Sequence, residues 1–297
     1  MKKMLEANCT GRSVFHSVRG ISYHVREWGG QEARKFFLLH GWMDVSASFE
    51  FLVQSLRHEW HVIAPDWRGF GLSGWAQDGY WFTDYLGDLD ALLEIYSPQA
   101  SINLVGHSLG GIVACVYAGI RPERAAGVVS LEGFGLPGIA PDAIPPRLGR
   151  WLEELKDSPS FKTYRSFDEV ALRLRKNNPR LAEDRARFLA RHWAKEVEPG
   201  NIVLAADPKH KRISPIPYRR EDAIACWKRA TARVLWISGE DSHIREWLAE
   251  TDEEYAGRTS AFSSFTERQI ANAGHMLHHD QPEEVARIIE EFLLERR

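Results

Sequence analysis

The stretch Ile102-Asn103-Leu104-Val105-Gly106-His107-Ser108-Leu109-Gly110-Gly111 constrains this chain more than any other. An apolar run stops at Gly106, a serine stands two residues later, and Ile112-Val113-Ala114-Cys115-Val116-Tyr117-Ala118 continues as a helix pattern. G-x-S-x-G between a strand and a helix predicts a sharp turn with Ser108 at its tip. Such a turn strains the backbone at the serine, and neighbours without a Cβ let strand and helix close on each other. Ser108 then sits at a helix N-terminus, where unpaired N–H groups favour negative charge. A serine hydroxyl attacking a carbonyl develops that charge.

The chain around this turn alternates strand and helix. Residues 13–18 and 21–28 alternate polar and apolar about Arg19-Gly20 and read as an antiparallel hairpin. Phe36-Phe37-Leu38-Leu39 and residues 60–65 read as strands buried on both sides, with a helix over 46–56 between them. A helix follows with Leu86, Leu89, Leu92, Leu93 and Tyr96 at helical spacing, Thr83 as its expected cap and Pro98 beyond its end. Residues 127–132 and 233–238 read as further buried strands, residues 265–272 as a last strand, and an amphipathic helix opens at Gln281-Pro282. The order predicts an α/β fold with a mostly parallel central sheet flanked by helices. Ligands in such sheets sit beyond the carboxyl ends of the strands.

Between residues 137 and 220 the character changes. Prolines cluster at 141, 145 and 146 and again at 208, 215 and 217, helix-like stretches cover 147–156, 167–177 and 180–195, and no buried-strand run appears. This predicts an α-helical lid inserted after the sixth strand, dividing the chain into a core of 1–136 and 221–297 and a cap of 137–220. Trp151, Phe161, Tyr164, Phe188 and Trp193 are expected chiefly to form the cap's own core.

The expected chemistry gathers on one sheet edge. His40-Gly41-Trp42 leaves a central strand, and Gly41 permits a close approach to the serine turn. The Trp42 and Leu109 N–H groups are therefore the expected oxyanion donors. Asp66 and Arg68 are expected to hold their loop rather than act chemically. Glu132 closes an apolar run, where a carboxylate needs a partner. His275 follows Gly274 at the end of the last strand. A serine needs a base to take its proton and an acid to orient that base. Ser108, Glu132 and His275 occur in the order expected for this sheet type, with Asp241 as the alternative acid. His40, Gly41, His107 and Phe134 are expected around the substrate. His278 and His279 lack a metal-binding helical spacing and read as loop or helix-start residues, so no metal or cofactor is expected.

Composition excludes other classes. A net charge of −3 offers no footprint for nucleic acid, and no run approaches the roughly 20 apolar residues of a membrane helix. Cys9, Cys115 and Cys226 are widely spaced, which predicts neither a metal site nor a disulfide framework. With no apolar stretch after Lys2-Lys3, they point to a cytoplasmic protein.

His40-Gly41-Trp42, Asp66-Trp67-Arg68-Gly69-Phe70-Gly71, Gly106 to Gly111 and Ala273-Gly274-His275 together resemble the α/β-hydrolase family over nearly the whole chain. Leu131-Glu132-Gly133-Phe134-Gly135 is similar to the serine hydrolase-like branch, akin to haloalkane dehalogenases and epoxide hydrolases. Those two relatives use an aspartate nucleophile; Ser108 in its place implies ester chemistry. Most of the family places the acid three residues after a glycine beyond the penultimate strand. Counting from Gly239, that position holds Ser242, with Asp241 one residue early. Some haloalkane dehalogenases carry a glutamate where Glu132 stands, which favours Glu132. The resemblance implies a cofactor-free serine hydrolase whose partner is a small or medium carboxylic ester, thioester or lactone. A perhydrolase or acyltransferase with the same triad, or a ligand-binding relative with little turnover, are the other readings. Nothing in the sequence sets the oligomeric state.

Overall fold

The computed structural model describes residues 11–295. Cys9 and the expectation for the extreme N-terminus lie outside the described residues. β1 (Arg12–Val18) and β2 (Ile21–Trp28) form the antiparallel hairpin, turned by Arg19 and Gly20 at φ 47° and 81°. β3 (Arg34–Leu39), β4 (Trp60–Pro65), β5 (Ile102–His107) and β6 (Ala125–Leu131) follow. β7 (Ala194–Glu198) and β8 (Asn201–Leu204) pair with each other, and β9 (Arg233–Gly239) and β10 (Phe265–Ile270) complete the strands.

The main sheet has eight strands in the order β1-β2-β4-β3-β5-β6-β9-β10. From β4 to β10 all neighbours are parallel; β1 and β2 run antiparallel at one edge. The chain steps from β3 to β4 in one direction and then to β5 on the other side of β3. The ligand crevice of such sheets lies at that reversal, and β5 delivers Ser108 to it.

Alternation of side chains explains the layers. Phe37 and Leu39 of β3 join a core beneath the helices Phe82–Tyr96, Leu109–Ile120 and Arg220–Trp227. Phe36 and Leu38 join a second core beneath the helix Pro282–Leu294. All six residues of β4 are buried, as its apolar run predicts. Among the described residues, no helix is long and apolar enough to cross a membrane.

Local differences from the sequence reading have local causes. Residues 46–56 fold as a 3₁₀ turn, Ser46–Phe49, leading into a short helix, Glu50–Gln54. The helix expected to be capped by Thr83 begins at Phe82 instead, because the Asp84 carboxylate reaches back to accept the Trp81 N–H at 3.2 Å. β10 stops at Ile270, short of the expected 272.

The segment between β6 and β9 holds the helices Ile144–Glu154, Phe167–Asn177 and Glu183–Trp193. It is not wholly helical. The stretch expected to stay helical through residue 195 turns at Trp193 into the β7–β8 hairpin, folded at Pro199-Gly200 with Gly200 at φ 73°. β7 is exposed after its first residue, so it lacks the buried apolar run by which strands such as β3, β4 and β9 are recognised. Tyr164, Phe167, Phe188 and Trp193 pack with this segment's own apolar cluster, whereas Phe161 packs on the main core. The segment is stitched to the loop after β4. Asp207 N–H donates to the Gly69 carbonyl at 2.8 Å, and Gly71 N–H to the Ala205 carbonyl at 2.7 Å.

Candidate active site

Ser108 sits between β5 and its helix at φ 49°, ψ −115°, a strained conformation for a residue with a Cβ. Close packing holds it there. A Cβ at Gly106 would fall 2.3 Å from the Gly110 carbonyl carbon, and one at Gly110 would fall 2.1 Å from the Leu39 carbonyl oxygen. The Ser108 N–H donates to the Leu131 carbonyl at 2.8 Å. The side chain opens into a cavity of about 640 Å³ at the carboxyl edge of the sheet.

His275, on the loop after β10, lines the same cavity with its side chain 45% exposed. Its Nδ1 lies 3.3 Å from Glu132 Oε2. Glu132 is buried at the end of β6 with φ 56°, so the backbone is strained at the carboxylate as well as at the serine. The carboxylate is held from two further directions. Gly239 N–H donates to Oε1 at 2.7 Å, and the Ser242 hydroxyl to Oε2 at 2.5 Å. Asp241 also touches the cavity, but its Oδ2 accepts from Arg180 Nη2 at 2.5 Å, and neither side chain of that pair is buried. Of the two candidate acids, the fold brings Glu132 to the imidazole.

The loop from β3 approaches the serine directly. A Cβ on Gly41 would stand 3.2 Å from Ser108 Cβ and 2.9 Å from His107 Nδ1. His40 sets the orientation of the next peptide. Its Nδ1–H donates to the Gly41 carbonyl at 2.7 Å, and its Nε2 accepts the Trp67 N–H at 2.8 Å. In a trans peptide the Trp42 N–H points opposite to that tethered carbonyl. Trp42 is half exposed and lines the cavity beside Leu109, the first residue of the serine helix. The Leu109 N–H follows Ser108 at the helix N-terminus, and Gly41 brings the backbone before Trp42 close to the serine.

None of the four residues expected around the substrate, His40, Gly41, His107 and Phe134, lines the cavity. His40 is fully buried and tied as above; burial lowers its pKa to about 4, which keeps it neutral. His107 is buried, and its Nε2–H donates to the His275 carbonyl at 2.8 Å, so it fixes the loop that carries His275. Phe134 is fully buried and stacks between Trp227 and Trp236 at ring separations of 5.1 and 4.8 Å. Gly41 acts through its lack of a side chain rather than as cavity wall. Asp66 accepts from His24 Nδ1, Ser46 N–H and Leu72 N–H, and Arg68 pairs with Asp88, so both hold their loop. His278 and His279 lie in the short helix Leu277–Asp280, buried against Ser48.

The cavity wall includes residues the sequence did not single out: Tyr80, Phe82, Tyr85, Ile112, Leu136 and Trp247. Ile112 was legible, since it stands three residues after Leu109 on the serine helix. Leu136 and Trp247 reach the cavity only through tertiary folding. Ser242 was also missed as a ligand of Glu132. Asp44, His107 and His278 place potential metal-ligand atoms within 4.8 Å of one another, all buried. Burial raises the Asp44 pKa to about 7 and pushes both imidazoles well below their usual range.

An open α/β sheet, a serine on a strained strand–helix corner and a histidine–carboxylate pair define a hydrolase of the α/β class. The sequence profile of the Alpha/beta hydrolase family matches residues 36–288, and the chain belongs to that family. It is 26% identical over 280 residues to the serine hydrolase-like protein of Danio rerio, covering 90% of this chain and 83% of that one. It is 25% identical over 237 residues to a bifunctional esterase/perhydrolase of Acinetobacter calcoaceticus, covering 76% and 80%. The thioesterase domain from the curacin biosynthetic pathway superposes with a TM-score of 0.84 at 21% identity, over 94% of this chain and 99% of that domain, which establishes the shared fold. The protein is a hydrolase.

Proposed function

We propose that the protein is a serine esterase that cleaves carboxylic esters through an acyl-enzyme on Ser108. The observation that carries this reading is the shared cavity: Ser108 on its strained corner and His275, 3.3 Å from buried Glu132, open into the same space. His275 Nε2 takes the Ser108 proton as Oγ attacks the ester carbonyl, and Glu132 holds the Nδ1–H tautomer and stabilises the imidazolium. The Trp42 and Leu109 N–H groups receive the developing oxyanion. The imidazolium then protonates the departing alcohol. Water, activated by the same imidazole, releases the acid and restores the serine. The segment 137–220 acts as a lid and contributes Lys209, His210, Arg212 and Ser214 to the cavity wall. Similarity to a protein named an esterase/perhydrolase supports ester chemistry.

Turnover of p-nitrophenyl acetate by the wild type and by Ser108→Ala tests the reading. Loss of at least 10³-fold is expected; activity retained within tenfold would overturn it.

A further inference from the structure

A second cavity of about 550 Å³ lies beside the first, and Phe82, Leu136, Ser214 and Trp247 line both. The serine helix runs past the two in turn. Leu109 and Ile112 face the first cavity, Val116 and Ile120 the second. Their spacing of three and four residues puts them on one side of the helix, so a single apolar stripe leads from the nucleophile into the second space. The helix Phe82–Tyr96 repeats the pattern, with Tyr85 facing the first cavity and Leu86 the second. The charged groups that touch the second cavity have other engagements. Arg219 and Asp222 lie 3.9 Å apart with side chains 67% and 72% exposed, and Arg147 Nε donates to the Ser214 carbonyl. Ile120, Ile216 and Trp247 around it are exposed despite their size. Large apolar side chains left open around one concave space mark a site for an apolar ligand.

We infer that the second cavity is an acyl-tail chamber, which takes the far end of a straight-chain acyl group whose carbonyl is at Ser108. This rests on Ser108 being the nucleophile. The occupant is the acyl chain rather than the alcohol because the departing alcohol must stand beside His275 to receive its proton. The loop that carries His275 and the Asp241–Ile244 turn both border the first cavity, and neither contributes to the second. Val116 and Ile120 lie seven and eleven residues beyond Leu109, about 10 and 16 Å along the helix axis. Carbon–carbon bonds near 1.5 Å give about 1.25 Å of reach per carbon. Acyl chains of roughly eight to twelve carbons therefore fill the chamber. Each buried methylene should raise kcat/KM about fourfold.

The test compares p-nitrophenyl esters from acetate to laurate with alkyl acetates of increasing alcohol length. The proteins are the wild type, Ala223→Phe, and wild type alkylated at Cys226 with N-benzylmaleimide. Ala223 and Cys226 line the second cavity but not the first. Cys226→Ser treated with the same reagent corrects for reaction elsewhere, and alkylation serves should Ala223→Phe fail to fold. In the wild type, kcat/KM should climb with acyl length from butanoate to decanoate and stay flat with alcohol length. Either block should leave acetate turnover within threefold and cut decanoate turnover at least tenfold. An acyl profile unchanged by both blocks, or a rise with alcohol length instead, would overturn the chamber. Decanoate binding by calorimetry reads the chamber without chemistry. Weakening by the blocks supports it even if Ser108→Ala shows the nucleophile to be another residue, and equal binding by blocked and unblocked protein refutes it.

Discussion

Replacing Glu132 by glutamine separates an orienting carboxylate from a merely structural one. The substituted amide has one acceptor oxygen and one NH₂ group, and the surroundings decide which way it faces. Oε1 accepts the Gly239 N–H at 2.7 Å. That donor belongs to the backbone of β9 and cannot turn away. An NH₂ placed against it would leave a buried donor unsatisfied at a cost of about 1–3 kcal/mol. The amide oxygen therefore stays on Gly239, and the NH₂ faces Ser242 Oγ and His275 Nδ1. The hydroxyl can rotate to accept, but the imidazole can accept only by moving its proton from Nδ1 to Nε2. Nε2 then has no lone pair for the serine proton. A wrong tautomer of this kind lowers turnover about 10⁴-fold, roughly 5 kcal/mol of transition-state stabilisation. Steady-state hydrolysis of p-nitrophenyl acetate, with the midpoint of urea unfolding measured alongside, provides the assay. Turnover should fall by three to four orders of magnitude while unfolding changes little. Asp241→Asn breaks a pair whose partners are both partly exposed to solvent, so its turnover should stay within a few-fold of wild type. Glu132→Gln within tenfold of wild type, with Asp241→Asn the severe variant, would refute the assignment of the acid.

Two further predictions concern the loop from β3 and the buried imidazoles. Gly41→Ala places a Cβ 2.9 Å from His107 Nδ1 and 3.2 Å from Ser108 Cβ, so the loop must withdraw with the Trp42 N–H. Loss of one oxyanion donor should lower kcat by 10²–10³ with a smaller change in KM, and a kcat within threefold of wild type would exclude Trp42 as a donor. Burial lowers the pKa of His40 and His279 from 6.5 to about 4 and that of His210 to about 3. A base depressed in the folded state stabilises it above its unfolded pKa, so stability falls as pH drops below 6.5. Each of the three should cost about 2 kcal/mol by pH 5. Asp44, raised from 3.8 to about 7, has the opposite sign and regains about 2 kcal/mol over the same interval. His107 and His278 are depressed as well and add to the fall, so urea midpoints should drop between pH 7 and pH 5 by the equivalent of at least about 4 kcal/mol; a flat profile would mean that these imidazoles are not held neutral.

The sheet was legible because parallel strands buried on both faces write continuous apolar runs, as in residues 36–39, 60–65 and 233–238. The serine corner was legible because its glycines are dictated by approaches of 2–3 Å that no side chain survives. Glu132 was readable as a strand-end carboxylate, but its preference over Asp241 came from a family resemblance. What separates the two in the fold is Arg180, which belongs to the inserted segment and lies far away in sequence. The β7–β8 hairpin stayed hidden because an exposed strand alternates polar with apolar residues no more clearly than a solvated helix does. Phe134, His40 and His107 were misplaced around the substrate for a common reason. Residues adjacent to a site in sequence alternate between facing it and bracing it, and all three brace it. The cavity wall comes instead from residues such as Leu136, Trp247 and the side of the serine helix that carries Leu109 and Ile112.

The most direct measurement of the central claim is the site of covalent capture. Protein treated with a fluorophosphonate, digested and analysed by mass spectrometry, should carry one stoichiometric adduct on the peptide containing Ser108. The adduct should be absent from Ser108→Ala and should form at least 10³-fold more slowly in a His275→Ala variant. An adduct on another residue, or equal labelling of wild type and Ser108→Ala, would contradict the account.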